Sequence, residues 1–305
     1  MSQTSAMPRA RNAAASTSRA RSRRIARFRV WLTAAAFLLP AIIGLLILRI
    51  IPTVQAVGTS LTNQVGSFTF ANFGYVFTDP AFLNALKVTL LFAIIINPIQ
   101  IALALWLAVV LTKRVPGVGI WRTLILLPIA VPQIVSAIVW GVLFRPDGPL
   151  NGILESLGIA PVPWLVSPDT ALLSIMIICT WVGVGYWMTF LVAGIKDIPS
   201  SLYEAAELDG AGGWKQFLYI TLPGLRRPLL FVLVADTVAN FLVFAPVRIL
   251  TQGGPQGSTN LIMNFIFERA YTLADPAGAA AATIVLVLIV VCVVGVQFRL
   301  LPGKD

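Results

Sequence analysis

The sequence predicts an all-α membrane protein built on six transmembrane helices. Three observations carry that prediction. Of the 305 residues, 58% are hydrophobic and 11% charged, far from the about 45–50% and about 25% of soluble domains. The apolar residues gather into six long runs. None of those runs alternates strictly, as a membrane barrel strand would. About 20 residues rising 1.5 Å each cross a hydrocarbon core of roughly 30 Å, and in lipid a helix satisfies every backbone amide internally.

In chain order, the first run, 30–51, is unbroken and directly follows an arginine-rich stretch. The second, 88–111, lies between Lys87 and Lys113 and carries Asn97, Pro98 and Gln100; the third, 123–144, lies between Arg122 and Arg145 and carries Pro128, Pro132 and Gln133. Proline removes a backbone donor and kinks a helix, so bends are expected in both. The fourth run, 170–193, ends before Lys196; the fifth, 229–250, begins after Arg226 and Arg227; the sixth, 277–298, ends before Arg299. Domain organisation follows: a basic tail over 1–29, rich in Ser, Ala and Arg and expected to be disordered, a membrane domain over 30–300, and a short tail over 301–305.

The formal net charge of +10 is explained by where the basic residues fall. Arg9, Arg11, Arg19, Arg21, Arg23, Arg24, Arg27 and Arg29 precede the first run; Lys113, Arg114 and Arg122 lie between the second and third; Lys196, Lys215, Arg226 and Arg227 between the fourth and fifth; Arg299 and Lys304 follow the sixth. The opposite side carries Arg49, Lys87, Arg145, Arg248 and Arg269. Basic residues are retained in the cytoplasm on insertion, so both termini are expected to be cytoplasmic. Topology and attraction to anionic lipid account for the tail without nucleic acid.

The one long connection on that side, about 195–228, is specific in pattern. After Pro199, Ser200 and Ser201 are candidate N-caps of a short helix, with Glu204 and Glu207 in or near its first turns, where the helix dipole favours carboxylates. Gly210-Ala211-Gly212-Gly213 predicts a sharp turn with positive φ and close approach of another backbone. Trp214, Phe217, Leu218 and Leu222 then recur at helical spacing. An amphipathic hairpin lying on lipid would present the same apolar face.

Glu204-Ala205-Ala206, three residues, Gly210, nine residues, Ile220, one residue, then Leu222-Pro223 resembles the loop motif of inner-membrane permeases of binding-protein-dependent ABC importers. The run 127–132 (LPIAVP), the run 143–151 (LFRPDGPLN), Pro163-Trp164-Leu165 and Gly253-Gly254-Pro255 resemble the carbohydrate-type, maltose and glycerol-phosphate group. Two departures occur: Phe244-Ala245 stands where such permeases show a Phe-Asp pair, and Arg248 where they show a Tyr. The resemblance implies a type I importer bundle in the bacterial cytoplasmic membrane. It implies a coupling helix carrying Glu204, Ala205, Ala206, Asp209, Gly210, Ala211, Ile220, Leu222 and Pro223 that seats on an ATP-hydrolysing subunit. It also implies a second homologous permease subunit, two ATPase subunits, an external solute-binding protein and a sugar-like substrate.

Polar groups at membrane depth are costly unless they face a cavity or a partner. Asp236, with Asn240 one turn later, is the sharpest candidate for a sugar contact, joined by Asn97, Gln133 and Phe244; a hydrogen bond between helices is the competing explanation for Asp236. Gly253, Gly254 and Pro255 are candidates for contact with a binding protein, though glycines there would equally make a plain turn. No histidine occurs, no phosphate-cradling G-x-x-x-x-G-K-[ST] run is present, and neither a nucleophile with its base nor a metal-ligand cluster stands out. Cys179 and Cys292 show no metal or disulfide spacing. A non-catalytic subunit without cofactor or metal is therefore expected. The alternative is a secondary carrier driven by an ion gradient, with Asp236 as its coupling site.

Overall fold

The computed structural model describes residues 31–63, 65–113 and 116–300. The expected basic tail with its arginines, Val30, Arg114, and the tail 301–305 with Lys304 lie outside the described residues. Among those described, the chain is helical, with one isolated antiparallel bridge between Thr62 and Phe68. Five helices are long and apolar enough to cross a membrane, and a bent pair makes a sixth crossing if counted as one span.

Two units divide near Gly58. The first holds most of helix α1 (Trp31–Ser60), whose side chains from Trp31 onward are exposed almost throughout; an apolar helix of this kind is a surface for lipid or a partner helix.

The second unit is the bundle. Helix α2 (Ala71–Thr78) leads into α3 (Pro80–Thr112), which Asp79 caps by accepting from the Ala81 amide at 2.8 Å, with Pro80 in the first turn where its missing N–H costs nothing. Helix α3 continues through Pro98 without a break, so the bend expected there does not interrupt it.

The third span differs more. In place of one helix over 123–144, α4 (Val118–Ala130) and α5 (Gln133–Leu143) meet at 100°. Pro128 and Pro132, four residues apart, each withhold a donor, and Val131, the residue before proline, is extended at φ −88°, ψ 127°. Helix α6 (Pro149–Ser156) then folds under Asn151, which donates to the carbonyls of Pro146 and Val162 at 3.0 Å and accepts from the Val162 amide and the Trp164 indole. The run 143–151 and Trp164 are thus one knot, with Trp164 packed on Phe144.

Helix α7 (Pro168–Lys196) lies against α3 along most of its length, so that Ala104, Ala108, Leu111, Met188, Leu191 and Ile195 form a core at one end of the bundle. Small residues let these backbones approach: a Cβ added at Gly185 would overlap the carbonyl oxygen of Ile125. Helices α8 (Ser200–Leu208) and α9 (Gly213–Gln216, continued through a wide turn over Phe217–Thr221 and Leu222–Gly224) form the predicted hairpin.

The fifth span, Arg226–Leu250, lies where a helix over 229–250 is expected from sequence, but it is interrupted over Leu242–Phe244 between α10 (Arg226–Phe241) and α11 (Ala245–Leu250). Pro246 cannot donate to Leu242, and its ring opposes that carbonyl. Helix α12 (Ile262–Phe267, with a wide turn over Glu268–Thr272) and α13 (Pro276–Leu300) complete the bundle. Val76, Phe82, Phe265, Ala281 and Ala282 build the core at its other end.

Candidate functional site

Two places combine the residues singled out by sequence. The first is the α8–α9 hairpin. Its turn is a Schellman motif: the Gly210 amide bonds the Glu207 carbonyl at 3.0 Å and the Ala211 amide the Ala206 carbonyl at 2.8 Å, with Gly210 left-handed at φ +74°. That geometry satisfies carbonyls at the end of α8 and asks for glycine. Space does not ask for it, since nothing lies within 4 Å of a Cβ added there. Within the chain, close approach is found at the feet of the hairpin, to side chains. An added Cβ would come within 2.6 Å of Pro228 at Gly194, and within 2.6 Å of Ile198 at Gly224.

The two helices are braced by Tyr203 and Thr221, whose hydroxyls lie 2.9 Å apart, and by Gln216, which donates to the Ala211 carbonyl at 3.2 Å. Neither serine caps α8: the helix begins at Ser200 after Pro199, with no side-chain bond at its N-terminus and no acidic residue in its first turn. Glu204 and Glu207 therefore lie past the stretch where the helix dipole would favour them.

The motif residues divide by direction. Ala206, Ala211, Ile220 and Leu222 are half-buried in the hairpin. Glu204, Ala205, Asp209, Gly210 and Pro223 are exposed, beside Leu208 (90%), Trp214 (71%) and Tyr219 (77%). An exposed face mixing large apolar side chains with acids, on a stiff turn, is suited to docking.

The second place is a buried polar cluster within the bundle. Asn97 and Gln100 share one face of α3, and Asp236, Thr237 and Asn240 one face of α10. The Asn240 amide nitrogen lies within donating distance of three acceptors: Asn97 Oδ1 at 2.7 Å, Gln100 Oε1 at 2.9 Å and Asp236 Oδ1 at 3.2 Å. With two hydrogens it shares at least one. Asn97 donates to Thr237 Oγ1 at 3.0 Å, as does Gln297 of α13 at 2.8 Å, and Gln100 donates to the Cys179 carbonyl at 2.9 Å. Asp236 is 1% exposed, and its Oδ2 makes no hydrogen bond.

A cavity of about 220 Å³ opens beside this cluster, lined by Gln100, Gln133, Ser136, Tyr186, Asp236 and Asn240 among others. Of the five residues expected on a substrate path, Asn97, Asp236 and Asn240 are joined by hydrogen bonds and Gln133 faces the same cavity. Phe244 is not brought to it: its ring packs on Phe267, centroids 5.0 Å apart, over a separate hollow shared with Met263 and Tyr271. Gln100, Ser136 and Gln297 join Asp236 only in three dimensions. Gln100 could have been found as the residue one turn from Asn97, whereas Gln297 carried no signal beyond being polar in an apolar helix.

At the other end of the bundle, Gly253, Gly254 and Pro255 belong to a tight loop. Gly253 is buried at φ +89° against Asn260 and Asn264, and Gln252 and Gln256 are its exposed residues. Nearby, Arg269 ties α2, α3 and α13 together. It donates to Asp79 and to Asp275 at 2.8 Å, and its guanidinium lies 4.5 Å from the centre of the Tyr75 ring. Burial alone would push the Asp275 carboxyl up; the Gly278 amide and Arg269 outweigh it and hold it below the usual carboxylate range. Among the described residues, no group of three or more Cys, Asp or Glu side chains could hold a metal ion.

Known proteins match this arrangement. The family described as "Binding-protein-dependent transport system inner membrane component" matches residues 100–304. The chain is 34% identical over 245 residues to an sn-glycerol-3-phosphate transport system permease protein of Agrobacterium fabrum, covering 80% of this chain and 82% of the relative. It is 32% identical over 295 residues to the lactose transport system permease protein of Rhizobium radiobacter, covering 93% and 97%. It is 33% identical over 260 residues to the trehalose/maltose transport system permease protein of Thermococcus litoralis, covering 83% and 88%. A chain from the crystal structure of a bacterial ABC transporter involved in the import of the acidic polysaccharide alginate shares the fold, with a TM-score of 0.81 at 24% identity over 90% of this chain and 97% of that one.

Proposed function

The chain belongs to the binding-protein-dependent transport system inner membrane components, and from that premise we propose that it is the permease subunit of an ATP-driven importer of sugars or related small polar solutes. It forms half of the translocation pathway, with a second homologous permease as the other half. Two ATPase subunits supply the energy, an external solute-binding protein delivers the cargo, and this chain itself performs no catalysis. Both termini and the hairpin lie on the cytoplasmic side, which the distribution of basic residues supports. Sugar as the cargo class is supported by the names of the lactose and trehalose/maltose relatives.

The observation that carries this reading is the hairpin. A Schellman turn and the Tyr203–Thr221 brace stiffen a surface of exposed acids and large apolar side chains, with Trp214 stacked on Phe217, in a polypeptide without a nucleotide-binding loop. Motion of a motor is transmitted only through a contact that does not itself yield. Docked on the ATPase through Glu204, Asp209 and the Gly210 turn, the hairpin hands that motion through Gly194 and Gly224 to α7 and α10. These helices carry Asp236 and one wall of the cavity, so closure of the motor reaches the cluster of Asn97, Gln133, Asp236 and Asn240 along the solute path. Gly253, Gly254 and Pro255 belong to the external loop that meets the binding protein.

Transport by the intact importer in proteoliposomes tests the reading. Uptake should require internal ATP and persist when proton and sodium gradients are collapsed. Uptake on an ion gradient without ATP would replace it with a secondary carrier coupled at Asp236.

A further inference from the structure

The polar cluster is acceptor-rich, and that imbalance says something about the cargo. Asn240 spreads two hydrogens over three oxygens, and Asp236 Oδ2 and Gln297 Oε1 are buried with no hydrogen bond of regular geometry, the Trp187 indole N–H lying beside the Asp236 carboxyl; the Ser136 hydroxyl, which can donate or accept, is unpartnered as well. Both Asp236 and Ser136 line the cavity. No lysine or arginine does, and the other titratable side chains that face it are Cys179 and Tyr186. A buried carboxyl without a cation is costly to ionise, and a bound cation favours its charged form.

The remaining wall suits a cation too. Tyr186 and Trp187 both line the cavity, their rings 4.8 Å apart and steeply inclined, and aromatic faces attract ammonium groups. Hydroxyls of a solute find further partners in Gln100, Gln133 and Ser136. The part of the cavity that this chain lines has a volume of about 220 Å³.

Building on the proposed transport path, we infer that this cavity selects a hydroxylated solute bearing a protonated amine, with Asp236 as the residue that accepts the amine and repels anionic cargo. Opposite charge within several ångströms in a partly desolvated site changes local ion concentrations by an order of magnitude or more.

Cys179 makes the inference testable in place, because it is a half-buried residue of the same cavity wall as Asp236. In the intact importer carrying Cys292→Ser, two methanethiosulfonate reagents are compared, one trimethylammonium and one sulfonate, with rates normalised to a small free thiol. The cationic reagent should be favoured by roughly tenfold, and Asp236→Asn should bring the ratio back near one. Millimolar glucosamine should slow labelling more than glucose, and glucuronate least. An anionic preference, a ratio indifferent to Asp236→Asn, no labelling by either reagent, or protection by glucuronate or by none of the sugars would overturn the inference. ATP-dependent uptake measured on the same vesicles reports separately on the importer reading: vesicles that transport on ATP but show no cationic preference sink this inference alone.

Discussion

The hairpin and the buried cluster use polar residues and glycine in opposite ways. In the hairpin, Glu204 and Asp209 are exposed and the glycine at the turn is chosen for its backbone angle, φ +74° with open space around it. In the bundle, Asp236 is 1% exposed, and glycines are chosen for lack of volume, as at Gly185 against the Ile125 carbonyl and Gly194 against Pro228. One region is built to be touched from outside, the other to hold a cavity open between packed helices. Substitutions should therefore fail differently in the two: loss of coupling with a folded protein in the first, loss of folding or of cargo selection in the second.

The largest effect is expected where volume is forbidden. Gly185→Val must move the α4 backbone, and overpacking against an obstacle that cannot rotate away costs about 3 kcal/mol. A marked fall in the yield of monodisperse protein and in its thermal midpoint checks this; a normally folded variant would break the distinction between the two kinds of glycine. Asp236→Asn comes next. Loss of a charge-assisted contact worth about 1.5–3 kcal/mol should weaken apparent cargo affinity by roughly 10- to 100-fold while assembly is retained, measured as the concentration dependence of uptake. Reduced assembly with unchanged affinity would return Asp236 to a structural hydrogen-bonding role.

At Gly210, a β-branched side chain forces a left-handed strain of about 1–2 kcal/mol. Gly210→Val should therefore leave insertion intact and ATP hydrolysis running while uptake drops severalfold, whereas Gly210→Asn, which tolerates that conformation, should be milder. Equal uptake by wild type and Gly210→Val would remove the coupling role. Tyr203→Phe deletes one hydrogen bond of the brace, about 1 kcal/mol, and should appear as faster amide exchange confined to α8 and α9.

The smallest effect concerns the end of the bundle opposite the hairpin. Because folding lowers the Asp275 carboxyl, its contribution is present above the ordinary carboxylate range and is lost as pH falls through its depressed value. Stability should decline at strongly acid pH in the wild type, and Asp275→Asn should be less stable at neutral pH with a flatter acid limb.

How much of this could be read from the chain depends on sequence distance. The hairpin was legible because the short helix and the Gly210 turn are local chemistry; the brace between Tyr203 and Thr221 was not read from the sequence. The spans were legible because apolar length and lipid thickness leave few options. Pro128 and Pro132 announced a bend, whereas the break before Pro246 was not read from the sequence, and a missing donor does not fix the angle. The 100° between α4 and α5 depends on what each half packs against.

The cluster was only partly legible. Asp236 and Asn240 stand out as polar residues one turn apart. Their partner Asn97 lies 143 residues from Asn240, and nothing local links them. Phe244, singled out at the position of the family's Phe-Asp pair, lies beyond the break before α11 and packs on Phe267.

By itself, the sequence determined a helical membrane protein, the basic side of its topology, and a hairpin whose turn only a residue free to adopt positive φ can make. Tertiary structure alone decided which polar groups meet, which oxygen of Asp236 is left without a partner, and where glycine is needed for space. The reason is physical: backbone angles and transfer into lipid act residue by residue, whereas the satisfaction of a buried acceptor depends on donors that distant helices bring to it.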